Sequence, residues 1–314
     1  MRRLLLAALI ATSSAATSTP PPDYVLVPGG FMHTSCVRPA PPSSASPPST
    51  PCGHPFLRRS NATHGSAWKA WAQVSAPSGS VSSINSTWVV PGPPISPTDQ
   101  TLFFWNGVEP EDTSAVLQPV LQWGTSAAGG GQYWAYASWY VSASHGSHYS
   151  PLVQVATGES VVGSNALESD GITWVITAAA PGKKASTVRE GRGLLLARLR
   201  AFAAAPGARR GASLFFPTHP LPAPSRRAQL TFKPVAGAWP TAYHVLEAYG
   251  VTTECDLYPA AGAVNFTVNA LAFGGNAAPS PIAWEFESTQ AAGCGERASA
   301  SAGGKQVSIS FNTN

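Results

Sequence analysis

The sequence predicts an all-β fold, an antiparallel β-sandwich or jelly roll. From about residue 66, apolar runs recur at a spacing near ten residues, split by turn signals such as "PGPP", "AAGGG", "SDG", "YPAAG" and "FGGN". Helical periodicity is almost absent outside one block. Ten tryptophans and eight tyrosines, with only 11% charged residues, suit a large aromatic-rich β structure.

The first element is a leader. Arg2 and Arg3 precede "LLLAALIA", and the small residues "TSSAATS" follow, which reads as a secretory signal over residues 1–16. The run is too short to span a bilayer, so no membrane partner is expected and the chain is expected to be secreted and extracellular. Sequons at Asn61, Asn85 and Asn265 agree with export and glycosylation. Four cysteines fit an oxidising compartment and allow three connectivities. Cys36–Cys52 and Cys255–Cys294 are favoured because each is local. The alternative is that Cys36 and Cys52 belong to a segment that is cleaved or disordered. No CxxC occurs, and no metal site or cofactor is expected.

Residues 17–65 are rich in Pro, Ser and Thr and read as a linker, a propeptide or an extended arm rather than core, with "YVLVPGG" as one short strand. The domain over 66–314 then offers its strands in order: "SINSTWVVP", "QTLFFWNGVE", "SAVLQPVLQW", "QYWAYASWYVS", "SPLVQVAT", "SVVGSNALE", "GITWVITAA", "QLTFKPV", "TAYHVLEAYGV", "AVNFTVNALAF", "PIAWEFEST" and "KQVSISFN".

One block interrupts them. Val188 to Gln229 is Arg/Ala/Pro-rich and holds the helix-like run "GLLLARLRAFAAA". It carries eight arginines and one acid, net +7, so the whole-chain charge of +4 leaves −3 for the rest. No aromatic-interleaved basic motif accompanies it, and a nucleic-acid partner is not expected. Two readings stand. The block is a retained intron, whose removal joins "KKAST" to "LTFKP", or it is a surface insertion with an amphipathic helix.

The strand "SAVLQPVLQW" poses the chemical question. Strand alternation puts Val116, Gln118, Val120 and Gln122 on one face, and Pro119 favours an edge or a bulge. In "AYHVLEAY", Tyr243, Val245, Glu247 and Tyr249 share a face. Amide hydrolysis needs a base to take a proton from water and a donor for the developing oxyanion. A carboxylate serves as the first. A glutamine amide, which does not titrate, serves as the second.

In their order, "STWVVPGPP", "WNGVEP", "AVLQPVLQW", "YWAYASWY" and "AYHVLEAYGV…YPAAGAVNFT" resemble the glutamic peptidases, the eqolisin family, and their lectin-like relatives. The resemblance covers about Ser66 to Asn314, less the block, and implies a concanavalin A-like sandwich. It implies a secreted, monomeric, acid-acting endopeptidase with Gln118 and Glu247 as its catalytic pair and a polypeptide as substrate. Trp105, Glu109, Gln122, Trp139, Tyr140 and Tyr243 are the expected groove residues. The chain departs from the family at one point: the family's strand carries two carboxylates, and here Tyr243 stands at the first and Glu247 at the second. The rival reading is a non-catalytic module that binds glycan. Glu285 and Glu287, two apart on one strand, could also mimic a glycosidase pair. His145 and His148 in "SHGSHY" read as loop residues. No G-x-S-x-G elbow occurs.

Overall fold

The computed structural model describes residues 20–40, 51–57, 67–183, 186–189, 230–232, 238–289 and 293–313. Twenty strands lie among them. The N-terminal arm forms β1 (Tyr24–Val27), β2 (Gly30–His33) and β3 (Val37–Pro39). Next come β4 (Trp68–Ser75), β5 (Val81–Val89), β6 (Thr101–Glu109), β7 (Ala115–Ser126) and β8 (Gly129–Ser142). These are followed by β9 (Gly146–Tyr149), β10 (Val153–Gln154), β11 (Ser160–Leu167), β12 (Trp174–Ala179), β13 (Ser186–Arg189) and β14 (Leu230–Phe232). The chain closes with β15 (Thr241–Tyr249), β16 (Ala263–Phe273), β17 (Asn276–Ala277), β18 (Glu285–Ser288), β19 (Arg297–Ala300) and β20 (Gln306–Ser310).

The strands form two large sheets and the β1–β2 hairpin. The first sheet runs β18-β4-β15-β6-β7-β8-β9-β3, with β10 also on β8. The second runs β13-β14-β12-β11-β5-β16-β20-β19, with β17 on β16. The sheets stack through one apolar core built from Trp88, Phe104, Leu121, Tyr136, Trp174 and Phe266 among others. Burial of such side chains is worth about 1.5–3 kcal/mol each and drives the two layers together. This is the β-sandwich that the turn spacing predicts. His244 is enclosed there with its Nε2 2.8 Å from Ser86 Oγ. Burial pushes its pKa down to about 3, so the ring is neutral.

The arm is more than a linker. The hairpin turns at Pro28-Gly29, with Gly29 at φ +90°, a region that favours glycine. Val27 and Met32 are fully buried against the outer face of the first sheet, in a cluster with Trp68, Trp71, Phe103, Trp105, Trp139 and Tyr243. This face therefore has an apolar cover that composition alone hides, because the Pro/Ser-rich sequence around the hairpin dilutes its apolar residues. Parallel pairing of β3 with β9 joins the arm to the sheet edge.

Both local disulfides are present, Cys36–Cys52 and Cys255–Cys294. No helix among the described residues is long and apolar enough to cross a membrane. The helix-like run of the basic block and Asn61 lie outside the described residues. Asn265 is exposed and Asn85 half-buried, the latter accepting a 2.7 Å bond from Asn269 Nδ2.

Two expectations need correction. The segment "WKAWAQVS" was absent from the expected strands, yet it is β4, between β18 and β15. The register shifts where Glu247 meets Trp68, so Trp68 and Trp71 join one cluster although three residues separate them. That shift hides the two-residue alternation. Pro119 is on neither an edge nor a bulge. It pairs with Ser138 within β7, a strand flanked by β6 and β8, and the β6–β7 register is the same before and after it.

The flanks of the basic block share one edge of β12. Thr187, Val188 and Arg189 pair with Thr177, Ile176 and Val175, and Phe232 pairs with Trp174, the next position. The two ends of the block thus lie side by side on the sheet.

Candidate active site

The outer face of the first sheet holds most of the expected site residues. Gln118 of β7, Glu109 of β6 and Glu247 of β15 line one narrow cavity with Trp68, Val116 and Val141, roofed by Pro28, Gly29 and Phe56 of the arm. Its free volume is about 30 Å³, room for about one water. All three polar side chains are buried, with exposures of 1%, 2% and 0%.

Glu247 is held by donors from four directions. Gly29 N–H donates to Oε2 at 2.8 Å, Trp105 Nε1 to Oε1 at 3.2 Å and the Tyr249 hydroxyl to Oε2 at 3.3 Å. The Trp68 indole also donates. These bonds favour the carboxylate, but burial outweighs them and pushes the pKa up to about 7.

Glu109 accepts a hydrogen bond from the Tyr243 hydroxyl. Burial first, and the charge of Glu109 second, push the Tyr243 pKa far up, so the phenol remains a donor. Gln118 Oε1 is buried and has no hydrogen-bond partner among the described residues. A buried amide oxygen in that state is costly, and Gln118 lines a cavity in which a water or a ligand can meet that cost.

The ladder fixes who stands beside whom. Glu247 pairs with Phe103, and Phe103 with Gln122. Tyr243 pairs with Gly107, which the β6–β7 register, the same on either side of this point, sets opposite Gln118. Gln118 is therefore level with Tyr243. Glu247 lies four residues along the strands, roughly 13 Å at strand rise, and two strands over. Glu109 lies opposite Val116 by the same register, diagonal to Gln118 at about 7–8 Å between Cα atoms. Gly107 makes room in the centre, since a Cβ there would meet the Trp105 ring at 2.8 Å.

The other expected residues divide by strand alternation. Trp105 and Trp139 lie on this outer face. Trp105 braces Glu247, and Trp139 packs on Tyr149 at 5.0 Å. Tyr140 does not wall the groove. It follows Trp139 directly, so it points into the inter-sheet core. Gln122 is not groove-lining either. Its Nε2 donates to Gly124 O at 2.8 Å and Gly129 O at 2.9 Å, and its Oε1 accepts from Ser126 at 2.8 Å, so it braces the β7–β8 turn. Glu285 and Glu287 are exposed on β18, and Glu285 accepts from Gln73 Nε2 at 3.1 Å. His148 is buried in β9, its pKa pushed down to about 4 by burial and by Arg38. Sequence reading missed Trp68, Gly29, Phe56 and Tyr249. The Trp68–Trp71 pair was the available signal for the first, and the Pro-Gly turn for the second.

No family model matches the chain, and no curated protein is similar to it. Among solved structures it is similar to SCP-B, a member of the eqolisin family of peptidases, in a complex with the tripeptide Ala-Ile-His. The two share 14% identity with a TM-score of 0.45, over 78% of this chain and 98% of that one.

Proposed function

We propose that the chain hydrolyses peptide bonds in acid as an endopeptidase, with Gln118 as the neutral donor and Glu109 as the carboxylate that activates water. The observation that carries this reading is the shared cavity, in which a buried carboxylate and a buried amide with an unpartnered oxygen sit diagonally on neighbouring strands. Glu109 takes the proton from a water in the cavity and returns it to the leaving amine. Gln118 orients that water through Oε1 and donates from Nε2 to the oxyanion. Tyr243 positions Glu109 through its hydroxyl. A polypeptide suits the groove, since a segment of this chain already roofs it through Pro28, Gly29 and Phe56.

A second reading gives the base to Glu247, as the sequence resemblance implies. Its favouring observation is a buried carboxylate in a cleft with its pKa pushed up to about 7. Against it stands its offset from Gln118.

The test uses denatured casein from pH 2 to 7 with wild type, Gln118→Ala, Glu109→Gln and Glu247→Gln. Loss of cleavage in the first two variants supports the proposal. Cleavage that survives Glu109→Gln but not Glu247→Gln transfers the base to Glu247. No cleavage by any form, including forms with the arm displaced, together with a positive glycan array, points to the glycan-binding module.

A further inference from the structure

We propose that residues 20–40 and 51–57 are an inhibitory strap that keeps the groove closed to substrate. The inference rests on the reading of this groove as the substrate site.

The strap's contacts are specific. Its turn reaches the cavity, where Gly29 N–H bonds Glu247 at 2.8 Å and Pro28 and Phe56 complete the roof. Val27 and Met32 are 0% and 1% exposed beneath it. Phe31 packs edge-on against Tyr249 at 6.0 Å between centroids. The strap is also tied at its margins. Leu26 O accepts from Ala127 N at 2.8 Å, on the β7–β8 turn. Phe31 and Leu57 exchange backbone bonds of 3.1 and 2.9 Å, closing the hairpin onto the later part of the arm. Cys52 N donates to Ser144 O at 2.7 Å, and Cys36–Cys52 locks both parts together.

Volume shows the consequence. Ligand sites run to about 300–1,000 Å³. The closed cavity has about 30 Å³ and cannot take even one residue of a peptide. Glu247 is four residues away from Gln118 along the ladder and two strands over, so the Gly29–Glu247 bond latches the strap at a point away from the Gln118–Glu109 pair. Substrate enters only when the strap leaves.

The experiment displaces the strap in the full chain without touching Gln118, Glu109 or Glu247. Met32→Asp and Val27→Asp each force a carboxylate into the buried underside. The double variant Cys36→Ala/Cys52→Ala, which adds no charge to the core, cuts the lock if the first two fail to fold. Two readouts are taken from pH 3 to 7: cleavage of fluorescein-labelled casein, and anisotropy of a fluorescein-labelled casein decapeptide. Thermal melting checks the sandwich. The expected result is at least tenfold faster cleavage and tenfold tighter decapeptide binding than wild type. Equal cleavage by wild type and folded variants overturns the strap and leaves the peptidase reading intact. If no form cleaves, the peptidase reading fails and binding decides the strap. Tighter binding by the variants supports it, and equal or absent binding in all forms overturns it.

Discussion

Gln118 is level with Tyr243 across β6, while Glu247 is level with Gln122. The position beside Gln118 is thus held by a phenol whose hydroxyl is turned to Glu109. A carboxylate has not vanished from the neighbourhood of the glutamine. It stands on the adjacent strand, with a neutral donor fixing its orientation.

That arrangement makes the two acids separable by mutation. Glu109→Gln keeps shape and burial but removes the proton acceptor, and general-base loss typically costs 10²–10⁴ in rate. We expect kcat on strap-displaced protein to fall by at least about 10². Glu247→Gln keeps an acceptor for Gly29 and, in acid, replaces a carboxyl that is already protonated in the closed chain, so it should change kcat little once the strap is displaced. Steady-state kinetics on the Met32→Asp background measures both. A larger kcat loss from Glu247→Gln than from Glu109→Gln would reverse the assignment.

Tyr243→Phe removes one donor to Glu109 with almost no change in volume. A hydrogen bond to a charged group contributes about 1.5–3 kcal/mol, so a rate loss of roughly 10–10² is expected if Glu109 is the base. A merely structural role would lower Tm without moving the pH–rate profile. With the donor gone, the carboxylate is less stabilised, and the acid limb of that profile moves to higher pH. An unmoved acid limb counts against Tyr243 as a positioning residue.

Much of the sandwich was readable because its signals are local. β6 and β16 match the expected runs closely, bounded by turn residues and rich in aromatic and β-branched side chains. The site was partly readable. Alternation groups Gln118 with Val116 and Gln122, and Glu247 with Tyr243 and Tyr249; the fold turns both groups to one outer face, and both residues line the cavity. What alternation cannot supply is register between strands distant in sequence, and register is what separates Gln118 from Glu247 and brings Glu109 close. Tyr140 is a miss of another kind, since alternation itself puts Trp139 and Tyr140 on opposite faces and both cannot face the groove. The arm was readable only in part: "YVLVPGG" contains β1, but the hairpin becomes apolar cover only against a face that folding creates.

Glu247 also makes a pH prediction with a definite sign. Its pKa in the closed chain is pushed up to about 7 from 4.5, so the folded form binds its proton more tightly than the unfolded form. The stabilisation is fully present below pH 4.5 and is lost as pH rises through 7, in all about 3 kcal/mol. Acid therefore does not loosen the latch. The Tyr249 hydroxyl, which donates to Glu247, and Glu109, which shares the cavity, are present in both wild type and Glu247→Gln, so their contributions cancel in the difference. Urea unfolding should show wild type losing about 3 kcal/mol relative to Glu247→Gln between pH 4.5 and 8. A pH-independent difference between the two would place the carboxylate in contact with solvent.

The basic block yields the last prediction. Excision of residues 188–229 would join Thr187 to Leu230. Thr187 pairs with Thr177, so an uninterrupted strand would carry Leu230 opposite Ile176, Thr231 opposite Val175 and Phe232 opposite Trp174. Phe232 already pairs with Trp174. The shortened chain therefore fills the edge of β12 in the register the present chain has, with Leu230 and Thr231 taking the places of Val188 and Arg189. We propose that the sandwich needs nothing from the block, whether it is a retained intron or an insertion. Deletion also removes the closure entropy of a long loop, on the order of 3 kcal/mol by the logarithmic scaling. The net charge changes from +4 to −3, since the block carries +7. Thermal melting of the deletion variant should give a Tm equal to or above that of the full chain, with casein cleavage unchanged on the strap-displaced background. A Tm drop of more than about 5 °C, beyond what roughly 1 kcal/mol produces in a domain this size, would show that the block packs on the sandwich. Sequencing of mature transcripts separates the two origins, because uniform presence of the block leaves only the insertion.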